Sequence, residues 1–381
     1  MARLSSVAAG IVAAVCLVIA AGAGADPAPS ADRPLRTGVL PATVATAPAA
    51  QTLMSRIGEL GTSVVVLDFW WRQIVKPGAD TASDFNPRDP DSPYYDWGTY
   101  DAHVQAAHAN GLDVLGVILD QPDWASEPPP DGSPGAILPD PQALADFGVA
   151  AAKRYDGVNH PRVFAWEVWN EPNISLYIKP QFVNGQPFSP GWYRTMLNTY
   201  YDAVKAAVPG VLIVGGGTAP YFDNSPEVTS IDPAWGPLSF MRHLFCLSES
   251  LQPTCSASVK LDAWAHHPYT EGSPSRRASL TNSVSLADMP KLRALLQAAQ
   301  DAGHVVSSQP LELWAPEFSW DSNPPDPLGV PEATLLRWVP QSLHDMWQYG
   351  VSLVGWFTLY DQAAPDPYPV SYTHLTLPTK A

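Results

Sequence analysis

The stretch "RVFAWEVWNEP", residues 162–172, opens as an apolar run of strand type and closes on an amide, a carboxylate and a proline. An unpaired charge at the end of a buried strand costs several kcal/mol. Glu171 therefore belongs where a charge is useful, at the open rim of a sheet, and Pro172 ends the pairing there. Seven further runs of the same kind flank this one: 35–40, 63–69, 112–119, 211–216, 260–267, 311–317 and 352–360. Amphipathic stretches separate them, among them 50–61, 99–111, 142–155, 192–207, 289–303 and 333–350, several of which end in glycine after a polar last turn. Strands alternating with helices predict a parallel sheet, and eight of them predict an α/β fold closed as a single (β/α)8 TIM barrel. An open doubly wound sheet is the alternative, but no Gly-rich phosphate loop follows any of the strands. In such a barrel the C-terminal ends of the strands carry the chemistry. Glu171, His267, Tyr269, Glu317 and Trp356 all fall there.

The ends of the chain read differently from its middle. Arg3, the apolar stretch 7–23 and Ala23-Gly24-Ala25 form a secretory signal over residues 1–25. Its 17 apolar residues fall short of the roughly 20 that a spanning helix needs. The expected product is a secreted, extracellular monomer without stable membrane association, its single domain covering 26–370. The segment after the eighth strand has no helical period, and residues 371–381, "SYTHLTLPTKA", read as a foreign tail on a truncated frame. The eighth helix is accordingly expected to be missing or replaced by an extended tail. Net charge is −16, from 21 Lys and Arg against 37 Asp and Glu, which excludes nucleic acid and anionic membranes as partners and favours a neutral one such as a carbohydrate. Beyond the signal two cysteines remain, Cys246 and Cys255, expected as a disulfide because in an exported chain such a pair is more often a loop staple than a metal site.

Two carboxylates, Glu171 on the fourth strand and Glu317 on the seventh, converging on an aromatic-lined mouth are the apparatus for cleaving a glycosidic bond. "WNEP" at 169–172, joined with "WAPEFSW" at 314–320 and "HPY" at 267–269, resembles the retaining glycoside hydrolases of clan A, the superfamily of families 5 and 39 with their cellulase-type catalytic domains. The resemblance runs from "GTSVVVLDFWW" to "GWFTLYDQ", nearly the whole mature chain. It implies that Glu171 is the acid/base and Glu317 the nucleophile in a double displacement on a β-linked polysaccharide or oligosaccharide. It further implies that Asn170 bonds the sugar 2-hydroxyl, that Trp356 is the platform beneath the sugar, and that Tyr269 donates to the nucleophile. Neither cofactor nor metal is implied. One departure stands out: the clan's Arg late in the second strand is absent from "SVVVLDFWW", leaving Arg72 as a replacement, or Asp68 with Trp70 and Trp71 as a different pocket wall.

Other residues have plainer readings. Glu167, two pleats below Glu171, is a structural carboxylate inside the barrel. Of His266 and His267 only one can face the mouth, and His267, in phase with Tyr269, is chosen. Trp124 and Trp320 are candidate sugar-stacking residues or loop anchors, while Asp123, Asp361 and Gln362 are candidate hydroxyl contacts. Asn173-Ile174-Ser175 matches a glycosylation acceptor by chance. Two other functions compete: a glycan-binding barrel with impaired catalysis, and a metal-dependent hydrolase using His266, His267 and Asp262.

Overall fold

A computed structural model of the protein describes residues 34–41, 47–221 and 234–359. Eight parallel strands close into a barrel: β1 (Arg36–Leu40), β2 (Val64–Trp70), β3 (Asp113–Leu119), β4 (Val163–Val168), β5 (Leu212–Thr218), β6 (Ala263–His266), β7 (Glu312–Phe318) and β8 (Val351–Phe357). Each strand pairs with its sequence neighbours, and β8 returns to β1 with Arg36 opposite Leu353 and Leu40 opposite Phe357. Among the described residues, seven helices of eight residues or more fill the crossovers: α1 (Ala47–Glu59), α2 (Gly98–Ala109), α3 (Pro141–Arg154), α4 (Ser189–Ala207), α5 (Pro237–Leu244), α6 (Met289–Asp301) and α7 (Glu332–Gln348). Each predicted strand and each predicted helix has a counterpart. The signal at 1–25, the tail at 371–381 and the question of an eighth helix lie outside the described residues.

Strand alternation sorts the side chains into two cores. Val64 and Val66 of β2, Ala165 of β4, Ala263 and Ala265 of β6, Trp314 of β7 and Leu353 of β8 fill the barrel. Their neighbours Val65, Leu67, Phe69, Trp166, Trp264 and Val354 point outward into a larger layer beneath the helices. The helices start where local chemistry lets them. Asp140 caps α3 by accepting from the amides of Gln142 at 2.7 Å and Ala143 at 2.9 Å, with Pro141 in the first turn.

At the mouth the regular pattern breaks on β7. Between Ala315 and Phe318 its register against β8 slips, which is a bulge. The bulge changes the phase of the strand: Trp314 and Glu317 both face inward, although three residues apart. Gly355 of β8 permits it, because a Cβ there would overlap the Pro316 carbonyl. Cys246 and Cys255 form a disulfide with Cα atoms 5.2 Å apart, closing the turn after α5. Asn173 is wholly buried and bonded to the carbonyls of Ala219 and Trp235, so it is no glycan acceptor in the folded chain. Among the described residues no helix is long and apolar enough to cross a membrane.

Candidate active site

The C-terminal rim opens into a cleft of about 1120 Å³ whose walls include Asp68, Asn170, Glu171, Tyr269, Glu317, Trp320 and Phe357. Glu171 stands just past β4, where the backbone takes left-handed conformations at Trp169 (φ 72°) and Glu171 (φ 37°). Non-glycine residues pay on the order of 1–3 kcal/mol each for such geometry. The turn is held by the Trp169 amide donating to the Ile118 carbonyl and the Glu171 amide donating to the Gly217 carbonyl, both at 3.0 Å. The strand end is thereby fixed to β3 and β5, and the Glu171 carboxyl is turned over the mouth.

Glu317 reaches the same space from the bulge on β7. One oxygen from each glutamate and a ring nitrogen of His267 all lie within 4.8 Å of one another. His267 Nδ1 is 3.0 Å from Glu171 Oε1 and 3.8 Å from Glu317 Oε2. Tyr269 donates its hydroxyl to Glu317 Oε1 at 2.7 Å. His266 sits on the opposite face, bonded to the Thr218 hydroxyl at 2.8 Å and the Val284 carbonyl at 2.9 Å. Burial pushes His266 down to about 3, so it is neutral.

The electrostatics of this cluster are unusual. Burial lowers the pKa of His267, but the charges of Glu317 and Glu171, the hydrogen bond to Glu171 and the charge of Glu167 outweigh it and hold the imidazole at about 9. Glu167 is 1% exposed, its two oxygens have no hydrogen-bond partner among the described residues, and burial raises it to about 8 in spite of His267. Gly217 makes room for it, since a Cβ there would overlap Glu167 Oε1. Asp68, inward on β2, is raised to about 7 by burial and by Glu317. Glu317 is itself pushed up by burial and by Glu171, against the pull of His267 and Tyr269. Tyr269 lies well above its ordinary value through burial and remains a donor. One imidazolium thus serves four carboxyl groups.

Several expected positions need correction. Trp356 is not a platform: it is 6% exposed and packs behind the wall against Phe318 and Trp320, because even positions of β8 point outward. Phe357, one residue on, faces the cleft. Trp124 does not line the cleft; the short turn Asp123–Ala125 aims Asp123 inward and lays the Trp124 ring against Trp71 and Phe85. Trp320 does line it, its indole nitrogen donating to the carbonyls of Thr270 at 2.8 Å and Gly272 at 2.9 Å. Arg72 cannot stand in for the missing strand-two arginine: it pairs with Asp120 at 3.2 Å and Asp123 at 2.6 Å, away from Glu317. Asn170 lines the cleft and bonds the hydroxyl of Tyr177. The metal set of His266, His267 and Asp262 does not assemble, since Asp262 pairs with Lys205 at 2.7 Å. Asp361 and Gln362 lie outside the described residues. Reading by residue type missed Phe357, Tyr177, Asp120 and Glu271, all in the cleft wall. For Phe357 the strand's period of two was signal enough; the others follow from loop paths that no local pattern encodes.

No protein-family profile matches the sequence, and no curated protein matches it. Solved structures do resemble it. A family 39 glycoside hydrolase from the gut symbiont Bacteroides cellulosilyticus WH2 superposes with TM-score 0.55 at 17% identity, over 88% of this chain and 58% of that one. A GH5_18 protein from Bifidobacterium longum subsp. infantis gives 0.54 at 14%, over 88% and 72%. A glucosidase from Croceicoccus marinus gives 0.53 at 15%, over 86% and 60%. The chain thus spans 58% and 60% of the length of the family 39 and Croceicoccus proteins. At these identities the common property is the fold, a closed parallel barrel of the kind found in glycoside hydrolases.

Proposed function

We propose that this chain is an exported retaining O-glycosidase acting on an uncharged, β-linked glycan, with Glu171 as acid/base and Glu317 as nucleophile. The observation that carries this reading is the approach of a Glu171 oxygen to within 4.8 Å of a Glu317 oxygen. Retaining enzymes hold their carboxyls about 5–5.5 Å apart, whereas inverting enzymes leave about 6.5–9.5 Å for a water. The acidic cleft wall supports a neutral substrate: Asp68, Asp120, Asp123, Glu271 and Glu317 face it, while its Arg72 is spent on two aspartates. The disulfide supports an oxidising compartment.

Glu317 attacks the anomeric carbon as the bond to the leaving oxygen breaks, and Glu171 delivers its proton to that oxygen. Glu171, now a carboxylate, takes a proton from water; the water oxygen bonds to the anomeric carbon and Glu317 is released. Near pH 6 the cluster holds one imidazolium beside protonated Asp68 and Glu167. When the nucleophile becomes an ester its charge disappears, and His267 at 3.0 Å is placed to hold the newly formed carboxylate of Glu171.

Glu317→Ala tests this. Turnover should vanish on a panel of aryl β-glycosides and polysaccharides, and added azide should restore bond cleavage with an inverted sugar product. Unchanged activity removes the mechanism, and glycan binding without turnover in the unaltered protein would favour a binding barrel instead.

A further inference from the structure

The inward positions of β2 are Val64, Val66, Asp68 and Trp70; the two valines fill the barrel, and Asp68 emerges in the cleft. Asp68 is half-buried, and its strongest electrostatic neighbours are Glu317, which repels its charge, and His267, which attracts it. Among the described residues no amide or side chain donates a hydrogen bond to it, and Arg72 is held elsewhere by Asp120 and Asp123. A partly buried carboxyl beside another carboxyl, with no donor of its own, is costly. The cost falls when a ligand brings a donor. Asp68 lines the same cleft as Glu317 and feels its charge, so a ring whose anomeric carbon meets Glu317 comes near it, and sugar hydroxyls are donors of the right kind.

We infer that Asp68 is a substrate-contacting, specificity-determining residue: its carboxyl takes a hydroxyl of the sugar ring bound at Glu317 and so selects which hydroxyl pattern is accepted there. This rests on the glycosidase reading of the cleft. Because the group is raised to about 7, it is largely uncharged when the site is empty in mild acid, which spares Glu317 a second full negative neighbour.

The test uses the para-nitrophenyl β-glycoside that the protein cleaves best, together with its monodeoxy analogues, on the unaltered chain, Asp68→Asn and Asp68→Ala. Asp68→Ala should lose about tenfold or more in kcat/KM on the parent sugar, the loss expected for a hydrogen bond to an ionisable group. It should lose nothing on the single analogue that lacks the hydroxyl held by Asp68. Asp68→Asn should recover much of the loss, and if the alanine variant does not fold, the asparagine variant against the same analogues decides. An equal loss on every analogue, as a merely structural role would give, or no loss at all, overturns the inference. If no aryl glycoside is cleaved, the glycosidase reading fails first. Calorimetric titration with cellotetraose, xylotetraose and mannotetraose then reads Asp68 alone: weaker binding by Asp68→Ala, largely restored in Asp68→Asn, supports it, and binding by Asp68→Ala equal to that of the unaltered chain, or no binding by either, overturns it.

Discussion

The lower and upper halves of the barrel interior are built by the same strands at the same inward positions, yet they obey opposite rules. On β2, Val64 and Val66 give way to Asp68; on β4, Ala165 to Glu167; on β6, Ala263 and Ala265 to His267; on β7, Trp314 to Glu317. Below, the strands are held by apolar packing, which needs shape and nothing else. Above, four carboxyls crowd one imidazolium, and two of them, Asp68 and Glu167, accept no hydrogen bond from the described residues. The lower half stabilises the fold; the upper half costs stability and supplies chemistry.

The sharpest way to break this contrast is to exchange one residue from each half. Glu171→Gln should lower kcat/KM by about 10²–10⁴-fold, the usual contribution of a positioned proton donor, with thermal stability at pH 8 unchanged or raised. Leu353→Ala should do the reverse, costing about 2–5 kcal/mol in chemical denaturation while the folded fraction keeps its kcat/KM. A mutual effect, with both variants losing both properties, would dissolve the distinction.

A second consequence is pH dependence of stability. Asp68 at about 7 and Glu167 at about 8 keep protons that the unfolded chain releases near ordinary carboxylate values, and His267 at about 9 keeps one released near 6.5. In each case the native state binds more protons, so stability falls as pH rises. The carboxyls act from about pH 4 up to 8 and His267 from 6.5 up to 9. Above pH 6.5, where the buried neutral His266 no longer opposes them, the unfolding temperature should therefore drop up to pH 9, and Glu167→Gln should flatten the slope between about 6.5 and 8. A curve rising toward pH 8 would contradict the proton assignments.

Smaller effects separate the two faces of β8. Phe357→Ala should raise KM about two- to tenfold through a lost ring contact with the sugar, and Trp356→Phe should change stability and leave KM alone. Smallest of all is chelation. The oxygens of Glu171 and Glu317 and the nitrogen of His267 are close enough to hold a cation. The proton of His267 nonetheless already joins Glu171, and EDTA should leave turnover unchanged.

The eight strands were legible because each is a short apolar run between turn signals, and the rim positions followed from them. Helix α5, eight residues starting at Pro237, was not, since two turns are too short for a helical period to stand out. Glu317 was found from its motif and not from its phase: counting by twos from Trp314 puts Glu317 on the outer face, and only the bulge at Ala315–Phe318 brings it inward. Bulges depend on a neighbour's backbone, here Gly355 against Pro316, and leave no local mark. Trp356 failed for the opposite reason. A count by twos along β8 turns it outward, and its place beneath the sugar rested on the resemblance to a family whose platform is a tryptophan.

Covalent trapping tests the central claim most directly. A 2-deoxy-2-fluoro aryl β-glycoside of the preferred sugar should inactivate the protein in step with release of one equivalent of phenol, and peptide mass analysis should find the sugar esterified to Glu317. Label on any other residue, or full turnover with no trapped ester and no inactivation, would contradict a double displacement through Glu317.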